Sequence, residues 1–585
     1  MMIGKVSSFF FNSSASKIFS VLIGGMFLAA CDASVDSMPS ADIVFKNAKV
    51  YTVDKDNPWA TSVAISGGKI LAVGSDADTD KWRGDKTEVI DLGGKLVLPS
   101  FGDAHVHPVY GGLAYARCSM HAAETVDAYT DIIKKCVDET DTDRWVYGVG
   151  WRPGLFPPDG IPPKGLLDEI SSDRPLVFRS TGGHSLWVNS KALELAGITK
   201  DTPDPLNGRI DRDPVTGELL GGLQETAKDL VAAYLPGPTQ QDLMKAITYT
   251  INHLNTIGIT NILDAGVEVN ADGVSPIVEA YKALQAEDAL TADIEVAVKW
   301  NNEAGMEQIP DLMAVAKSVA GPNIASHTLK IWIDGVIAQR TAALLEPYSD
   351  AHGEHGEPTL KPDVLNEVVK QFDEQGFQVM IHAIGDKGIR MSLDAFEYAR
   401  KHNGVTKNHH QITHAEFITP QDMARFAELG VLANFQPLWS TMDPYMQLTA
   451  VRVGPERMKH VYPAHSVLQA GGEMVYGSDW SVAPAEPFMG IEVALTRRAL
   501  GDPDAQPLLP NEAVTLEQAI EAYTLTVARV NHRENETGSL TVGKNADLVV
   551  VDQDVFTIPV YDIGKTKILL TMFEGKPLYG NLEGL

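Results

Sequence analysis

The chain has 585 residues, of which 44% are hydrophobic, so it is long enough for a large core and an accessory module. Its 77 acidic residues outnumber its 48 basic ones, and the net charge of −29 repels nucleic-acid phosphates. Length and charge therefore indicate a multi-part globular protein and argue against nucleic acid as a partner.

The N-terminus has the features of a bacterial export signal. Lys5 and Lys17 precede an apolar run, residues 18–30, that is too short for a membrane span but suits a signal peptide. The run ends in Leu-Ala-Ala-Cys31, which resembles a lipobox, the motif whose cysteine becomes lipidated and forms the mature N-terminus. We therefore expect a signal peptide over 1–30, a tether over 31–41, and a periplasm-facing lipoprotein that is held at the inner or outer membrane by its lipid alone.

Short β-strands are predicted at both ends of the chain. Residues 42–47 and 49–53 alternate in period two, and residues 61–74 indicate two further strands around a Gly67-Gly68 turn. Residues 548–552 and 568–574 have the same character and precede a turn at Gly575. We expect residues 42–97 and 538–585 to meet in one small β-sandwich domain.

Between these ends, strands alternate with helical stretches, which is typical of parallel βαβ units. Eight strands close a (β/α)8 barrel, so we predict an α/β protein with a TIM-like barrel over residues 98–537. A subdomain is expected at about residues 110–250, because that interval is too long for one loop and helix. The eight predicted strands end near residues 103–105, 262–264, 298–300, 331–333, 381–382, 413–414, 434–436 and 478–479.

A metal-binding cluster is predicted at the ends of four of these strands. The first ends in a His-x-His motif, His105 and His107, whose imidazoles point the same way in an extended chain and can bind one metal ion. His382, His414 and Asp479 fall at the ends of strands five, six and eight. Because the carboxyl ends of barrel strands form one active-site mouth, we expect these side chains to converge there.

Four further motifs accompany this cluster: residues 97–101 (Val-Leu-Pro-Ser-Phe), Gly182-Gly183-His184, residues 537–540 (Thr-Gly-Ser-Leu) and residues 546–549 (Ala-Asp-Leu-Val). With these motifs, the chain resembles the amidohydrolase superfamily, in the branch that contains N-substituted formamide deformylases and related family-3 amidohydrolases. The resemblance implies that His105 and His107 bind one metal, that His382 and His414 serve a second or assisting site, and that Asp479 is both ligand and proton shuttle.

Lys330 falls on the predicted fourth strand, where the resemblance implies a lysine whose amine has captured carbon dioxide. The carbamate would bridge two metal ions, and burial favours its formation because desolvation disfavours the ammonium form. The alternative is a lysine that pairs with Asp334.

The resemblance also implies that His184 reaches from the insertion and contacts the substrate carbonyl. The glycines before it allow a close backbone approach, whereas the alternative role is to stabilise the loop. Trp151, Trp187 and Arg340 are either pocket residues or structural ones.

The expected chemistry is metal-assisted hydrolysis. Imidazole and carboxylate ligands suit zinc, which lowers the pKa of bound water to about 7, although iron, manganese and nickel also bind such sites. Asp479 would accept the proton of the attacking water and pass it to the leaving amine.

We therefore predict an enzyme that cleaves a carbon–nitrogen bond other than a peptide bond, in a small-molecule amide, N-formyl, N-acyl or cyclic amide substrate. The first alternative is a mononuclear deaminase, esterase or lactonase of the same superfamily, and a carbamate on Lys330 would favour the two-metal hydrolase instead. A second alternative is a non-catalytic ligand-binding lipoprotein.

Two further features stay open. Cys118 and Cys136 could form a disulfide in an oxidising periplasm, or remain two buried thiols. A homodimer is the commonest assembly for a soluble protein and is the default expectation here.

Overall fold

The computed structural model describes residues 40–585, except residues 117, 121–122, 142–143, 158–159, 181–184, 206–207, 236 and 339. The predicted signal peptide, Cys31 and nearly all of the tether lie outside the described residues, as does His184. Within the described ranges, no helix has the length and apolar character needed to cross a membrane.

Eight parallel strands form the central barrel, and their order in the sheet follows their order in the chain. The ring closes between the first and last strands, where Asp479 N donates to His105 O at 2.7 Å and His107 N donates to Trp480 O at 2.8 Å. The predicted fold class is therefore confirmed. The strands are β1 (Phe101–Val106), β2 (Ile259–Val267), β3 (Asp293–Lys299), β4 (Ile324–Trp332), β5 (Gln378–Ala383), β6 (Gln411–His414), β7 (Leu432–Phe435) and β8 (Glu473–Tyr476).

The barrel strands are buried on both faces, and helices cover their outer side. Helix Leu525–Val530 instead packs against β1, β2 and β8. The longer helices in and around the barrel are Pro108–Ala116, Gln240–Thr256, Pro276–Ala286, Ile309–Ser318, Pro362–Glu374, Asp386–Asn403, Pro420–Leu429, Pro444–Arg457, Pro487–Thr496 and Leu516–Tyr523; shorter ones are Asp76–Asp80, Ala464–Gln469 and Leu525–Val530.

Helix Gln240–Thr256 shows how sequence sets these elements. Thr239 accepts a hydrogen bond from Asp242 N, and the Asp242 side chain in turn accepts one from the Thr239 backbone amide, which forms a capping box. Its apolar face recurs every three or four residues and packs into the barrel core. This helix, which falls near the end of the expected insertion at about residues 110–250, thus packs on the barrel core.

Two sheets built from the chain termini pack face to face around a shared apolar core that includes Phe45, Val63, Val97 and Val550. Strand Leu548–Val551 pairs antiparallel with strand Leu96–Pro99, which joins the two ends of the chain. One sheet contains Lys69–Gly74, Ser62–Ser66, Ile43–Lys46 and Glu88–Asp91; the other contains Lys576–Tyr579, Ile568–Phe573, Leu548–Val551, Leu96–Pro99, Lys49–Tyr51 and Trp59–Ala60.

The insertion after β1 contains its own six-stranded sheet. Cys118 and Cys136 are joined in a disulfide with a Cα–Cα distance of 5.6 Å. The structure therefore has the disulfide and not two free thiols. The strands, in sheet order, are Gly208–Arg212, Leu219–Glu225, Ser185–Val188, Leu176–Ser180, Val146–Trp151 and Cys118–Ser119, and the helices are Val126–Glu139, Lys164–Ile170, Ser190–Leu195 and Asp229–Ala232.

Candidate metal centre

The first two candidate ligands stand at the end of β1. His105 is buried inside the barrel, whereas His107 follows the strand and is partly exposed. Asp103, on the same strand, accepts hydrogen bonds from the backbone amides of His105 and Ser478, each at 3.0 Å. This carboxylate thus fixes the segment that carries Asp479 beside the His-x-His motif.

His105, His107 and Asp479 form a group that can hold a metal ion. Asp479 Oδ1 lies 3.1 Å from His107 Nε2 and 3.5 Å from His105 Nε2, and the ligating atoms of all three lie within 4.8 Å of one another. Asp479 Oδ1 is buried and has no hydrogen-bond partner among the described residues. Since buried carboxylate oxygens are normally paired, this atom is suited to a cation as its partner.

His382 and His414 complete a continuous set of imidazoles across the barrel mouth. The His414 ring centroid is 4.5 Å from that of His382 and 5.0 Å from that of His105, and His105 and His107 are 5.3 Å apart. His382 Nε2 lies 3.3 Å from Gly335 O. The structure therefore brings together the four predicted histidines that it describes, His105, His107, His382 and His414, while His184 lies outside the described residues.

Burial keeps three of these imidazoles, those of His105, His382 and His414, neutral. It lowers the pKa of His382 to about 3 and holds the pKa values of His105 and His414 well below the usual range, with a further contribution from the nearby Lys330 charge. A neutral imidazole offers a lone pair, which is the form that binds metals.

Lys330 lies inside the barrel with no exposed surface. Its Nζ is 3.4 Å from His105 Nε2 and 3.5 Å from Met380 Sδ. Burial lowers its pKa to about 7, and Lys299 contributes in the same direction. No ion pair between Lys330 and Asp334 occurs in the described part of the chain, because Asp334 accepts backbone amide hydrogen bonds instead.

The backbone is strained at two of the candidate ligands. His414 has φ 70°, the adjacent Ala415 has φ 43° and Asp479 has φ 57°, all in the left-handed region that side chains with a Cβ disfavour. Such conformations persist where the surrounding structure holds them, often at functional sites.

Sequence reasoning missed several residues around the centre. Thr413 Oγ1 lies 2.6 Å from His105 Nδ1, and Gln436 Oε1 lies 2.7 Å from His414 Nδ1. Asp264, on β2, accepts a hydrogen bond from Tyr281 at 2.9 Å, and burial raises its pKa to about 6. Polar residues at alternate positions of otherwise buried strands were the available signal, because side chains two apart face the same way.

Aromatic side chains wall the mouth. Trp439 stacks on His414 with a centroid distance of 5.4 Å and an interplanar angle of 7°. Trp332, at the end of β4, is 36% exposed. The Lys299 Nζ lies over its ring, 4.1 Å from the ring centroid. The site therefore combines polar ligand atoms with apolar surface, as small-molecule pockets do.

Three residues considered as pocket lining have structural roles. Trp151 and Trp187 are buried in the core of the insertion, where Trp151 donates to Phe178 O at 2.9 Å. Arg340 forms an ion pair with Asp350 at 2.9 Å.

A barrel of parallel strands with a metal-competent His and Asp cluster at its carboxyl end defines a metal-dependent hydrolase. The sequence model of the amidohydrolase family matches residues 88–579. The chain therefore belongs to the amidohydrolase family. It is an enzyme that hydrolyses carbon–nitrogen bonds of small molecules.

Individual relatives extend over almost the whole chain. It is 30% identical over 544 residues to Protein LONG AFTER FAR-RED 3 of Arabidopsis thaliana, covering 92% of each chain. It is 25% identical over 546 residues to the N-substituted formamide deformylase of Arthrobacter pascens, covering 91% of this chain and 97% of the relative. The crystal structure of an uncharacterized metal-dependent hydrolase from Pyrococcus furiosus superimposes with a TM-score of 0.70 at 25% identity, covering 88% of this chain and 99% of that one.

Proposed function

We propose that this enzyme hydrolyses N-formyl, N-acyl or cyclic amides, with a divalent metal, zinc in the first instance, held by His105, His107 and Asp479. Lys330, His382 and His414 would complete a second or shared site. The observation that carries the proposal is the buried Asp479 Oδ1, which lies between two imidazoles and has no hydrogen-bond partner among the described residues. That geometry suits a cation and would leave the carboxylate facing the reacting water.

When bound, the metal supplies a Lewis acid that polarises a carbonyl and acidifies water. Asp479 then acts as the base that takes a proton from the attacking water. As the tetrahedral centre collapses, the same carboxyl returns the proton to the nitrogen that leaves, so proton and charge balance across the cycle. The contact between His184 and the substrate carbonyl stays a prediction from the resemblance.

The substrate class is supported by the deformylase relative, whose similarity spans 97% of its own length. Trp332 and Trp439 would provide apolar surface for the amide's substituent. The test is release of a primary amine from a panel of N-formyl, N-acetyl and cyclic amides, with aryl esters and aminopurines alongside. Turnover confined to esters or aminopurines would reject the proposal in favour of an esterase or a deaminase.

Lys330 is proposed to carry a carbamate. Its neutral amine would attack carbon dioxide, forming one C–N bond and releasing one proton, so that a neutral buried amine becomes an anionic ligand beside His105. A wholly buried amine with a pKa of about 7 makes the neutral form available near neutral pH.

The export and lipid attachment predicted for Cys31 are proposed to place the enzyme in the cell envelope. The Cys118–Cys136 disulfide supports this proposal, because such bonds persist mainly in oxidising compartments. Membrane fractionation of cells that express the full chain or its Cys31→Ser variant tests it. Equal partition of both proteins into the soluble fraction would reject the anchor.

A further inference from the structure

We infer that Gln436 fixes the tautomer of His414, as the last member of a hydrogen-bonded amide relay that begins at the backbone carbonyl of Ala104. The relay makes Nδ1 of His414 carry the proton and leaves Nε2 as the atom with a free lone pair. The inference rests on the proposed function in one respect, namely that His414 binds a metal.

The polarity of the relay is set at its first member. Asn434, on β7, places Nδ2 3.0 Å from Ala104 O on β1. A backbone carbonyl can only accept, so this atom of Asn434 must be the NH2 group and not the amide oxygen. The second hydrogen of the same group is directed at Gln411 Oε1, at 2.9 Å.

The orientation then passes to the histidine. With Nδ2 fixed, the other side-chain atom of Asn434 is Oδ1, an acceptor, and it receives Gln436 Nε2 at 3.1 Å. Gln436 must therefore turn its own oxygen, Oε1, toward His414 Nδ1, at 2.7 Å. An amide oxygen cannot donate, so Nδ1 is the protonated nitrogen of the neutral ring.

Burial prevents the relay from reversing. Asn434 and Gln411 have no exposed surface, and Gln436 and His414 are 1% and 3% exposed. Flipping Asn434 would oppose two oxygens at 3.0 Å without solvent to separate them and would leave buried polar groups unpaired, which is unfavourable. Gln411 Nε2 has no hydrogen-bond partner among the described residues. Gln411 is therefore a side branch of the relay: Asn434 determines how its amide faces, and Gln411 does not determine how Asn434 faces.

The ring plane is held separately by Trp439, which stacks on His414. Gln436 thus determines which nitrogen of His414 carries the proton, and Trp439 restricts the tilt of the His414 ring. Loss of an outer hydrogen bond that orients a ligand in this way typically lowers metal affinity about 10–100-fold.

The test is the affinity of the purified full-length mature protein for Zn²⁺, measured by competition with a chromogenic chelator. Four variants are compared with the unmodified chain: Gln436→Met, Gln436→Glu, Gln411→Met and His414→Ala. Gln436→Met removes the acceptor that faces His414 Nδ1, whereas Gln436→Glu keeps that acceptor but loses the N–H that donates to Asn434 Oδ1. Gln411→Met removes a buried amide of the same size from the side branch and serves as the matched control. Thermal unfolding of the metal-free proteins checks that each variant folds.

We expect Gln436→Met to weaken binding about 10–100-fold, Gln436→Glu to weaken it less than Gln436→Met because the acceptor for Nδ1 remains, and Gln411→Met to change affinity less than about twofold. Equal losses in Gln436→Met and Gln411→Met, or no loss in Gln436→Met, would overturn the relay while leaving the metal site intact. Unchanged affinity in His414→Ala, or no Zn²⁺ binding by the unmodified chain, would overturn both the relay and the proposed metal role of His414.

Discussion

Asp479 is the residue that is proposed both to bind the metal and to transfer the proton. Its backbone amide donates to His105 O, its φ is 57°, and its Oδ1 faces the two imidazoles of the His-x-His motif. Backbone contacts therefore hold the carboxylate in place, which leaves its side-chain oxygens free for chemistry.

Replacement of Asp479 by Asn keeps the shape but removes the base and a negative ligand. We expect kcat to fall by about 10²–10⁴, because general acid–base catalysis contributes that much. Steady-state amine release measures this, with circular dichroism to confirm folding. An Asn variant that turned over at close to the normal kcat would contradict the role.

The carbamate on Lys330 predicts a pH dependence with a definite sign. Only the neutral amine reacts with carbon dioxide, and burial lowers its pKa to about 7, so carbamate should decline as the pH falls below that value. The signal to follow is the carbamate ¹³C resonance of protein equilibrated with ¹³C-bicarbonate.

Lys330→Arg should abolish that resonance, and the matched Lys299→Arg control should keep it, since the Lys299 Nζ lies over Trp332 and pairs with Glu268. Persistence of the resonance in Lys330→Arg would assign it to another amine.

The candidate ligands could be predicted from sequence because they fall at strand ends, whereas their supporting residues could not. Thr413 and Gln436 become partners of His105 and His414 only when β1, β6 and β7 meet in the barrel. That meeting depends on contacts between residues far apart in the chain, which local pattern does not reveal.

Among the elements, the two turns of the terminal sheets make a specific contact. Gly68 has φ 79°, and a Cβ on it would lie 2.7 Å from Glu574 O in the turn before Lys576. Gly67 has φ 55°, but a Cβ on it would meet nothing within 4 Å among the described residues.

This pair gives a matched test of the contact. Gly67→Ala should cost about 1 kcal/mol from the left-handed conformation alone, and Gly68→Ala should cost at least about 1 kcal/mol more because a backbone carbonyl must move. Thermal unfolding should show the lower Tm for Gly68→Ala. Equal Tm values for the two variants would show that the turns do not press on each other.

The insertion is stabilised by its disulfide across a sequence separation of 18 residues. A disulfide that closes a loop of that length stabilises a fold by about 3 kcal/mol. We expect the Cys118→Ser, Cys136→Ser double variant to be cleaved by protease within residues 118–236 about 100-fold faster, while the barrel strands stay resistant. Two alkylatable thiols in the unreduced native protein would contradict the bond.

The terminal strands and the barrel strands could be predicted because their patterns are regular, but the sequence alone could not say against which part of the protein helix Gln240–Thr256 packs. Helix Gln240–Thr256 has an ordinary amphipathic face that could pack against either the barrel or the insertion. Only its packing against the barrel core assigns it.

At the scale of the whole molecule, the described residues form four separate sheets: two from the terminal segments, one in the insertion and one in the barrel. The candidate metal cluster lies at the carboxyl end of the barrel, where His105, His382 and His414 are on β1, β5 and β6, and Asp479 follows β8. We expect substrate choice to depend on the loops above the strands and on the insertion.

Removal and return of metal test whether amide hydrolysis depends on the proposed metal centre. The mature protein would be stripped with chelator, assayed for amine release on the amide panel, and then titrated with Zn²⁺ while bound metal is counted per chain. We expect turnover to be lost on stripping and to recover at one to two equivalents, which matches the His105, His107 and Asp479 group with or without the second set. Amine release that persists undiminished in the metal-free protein would contradict it.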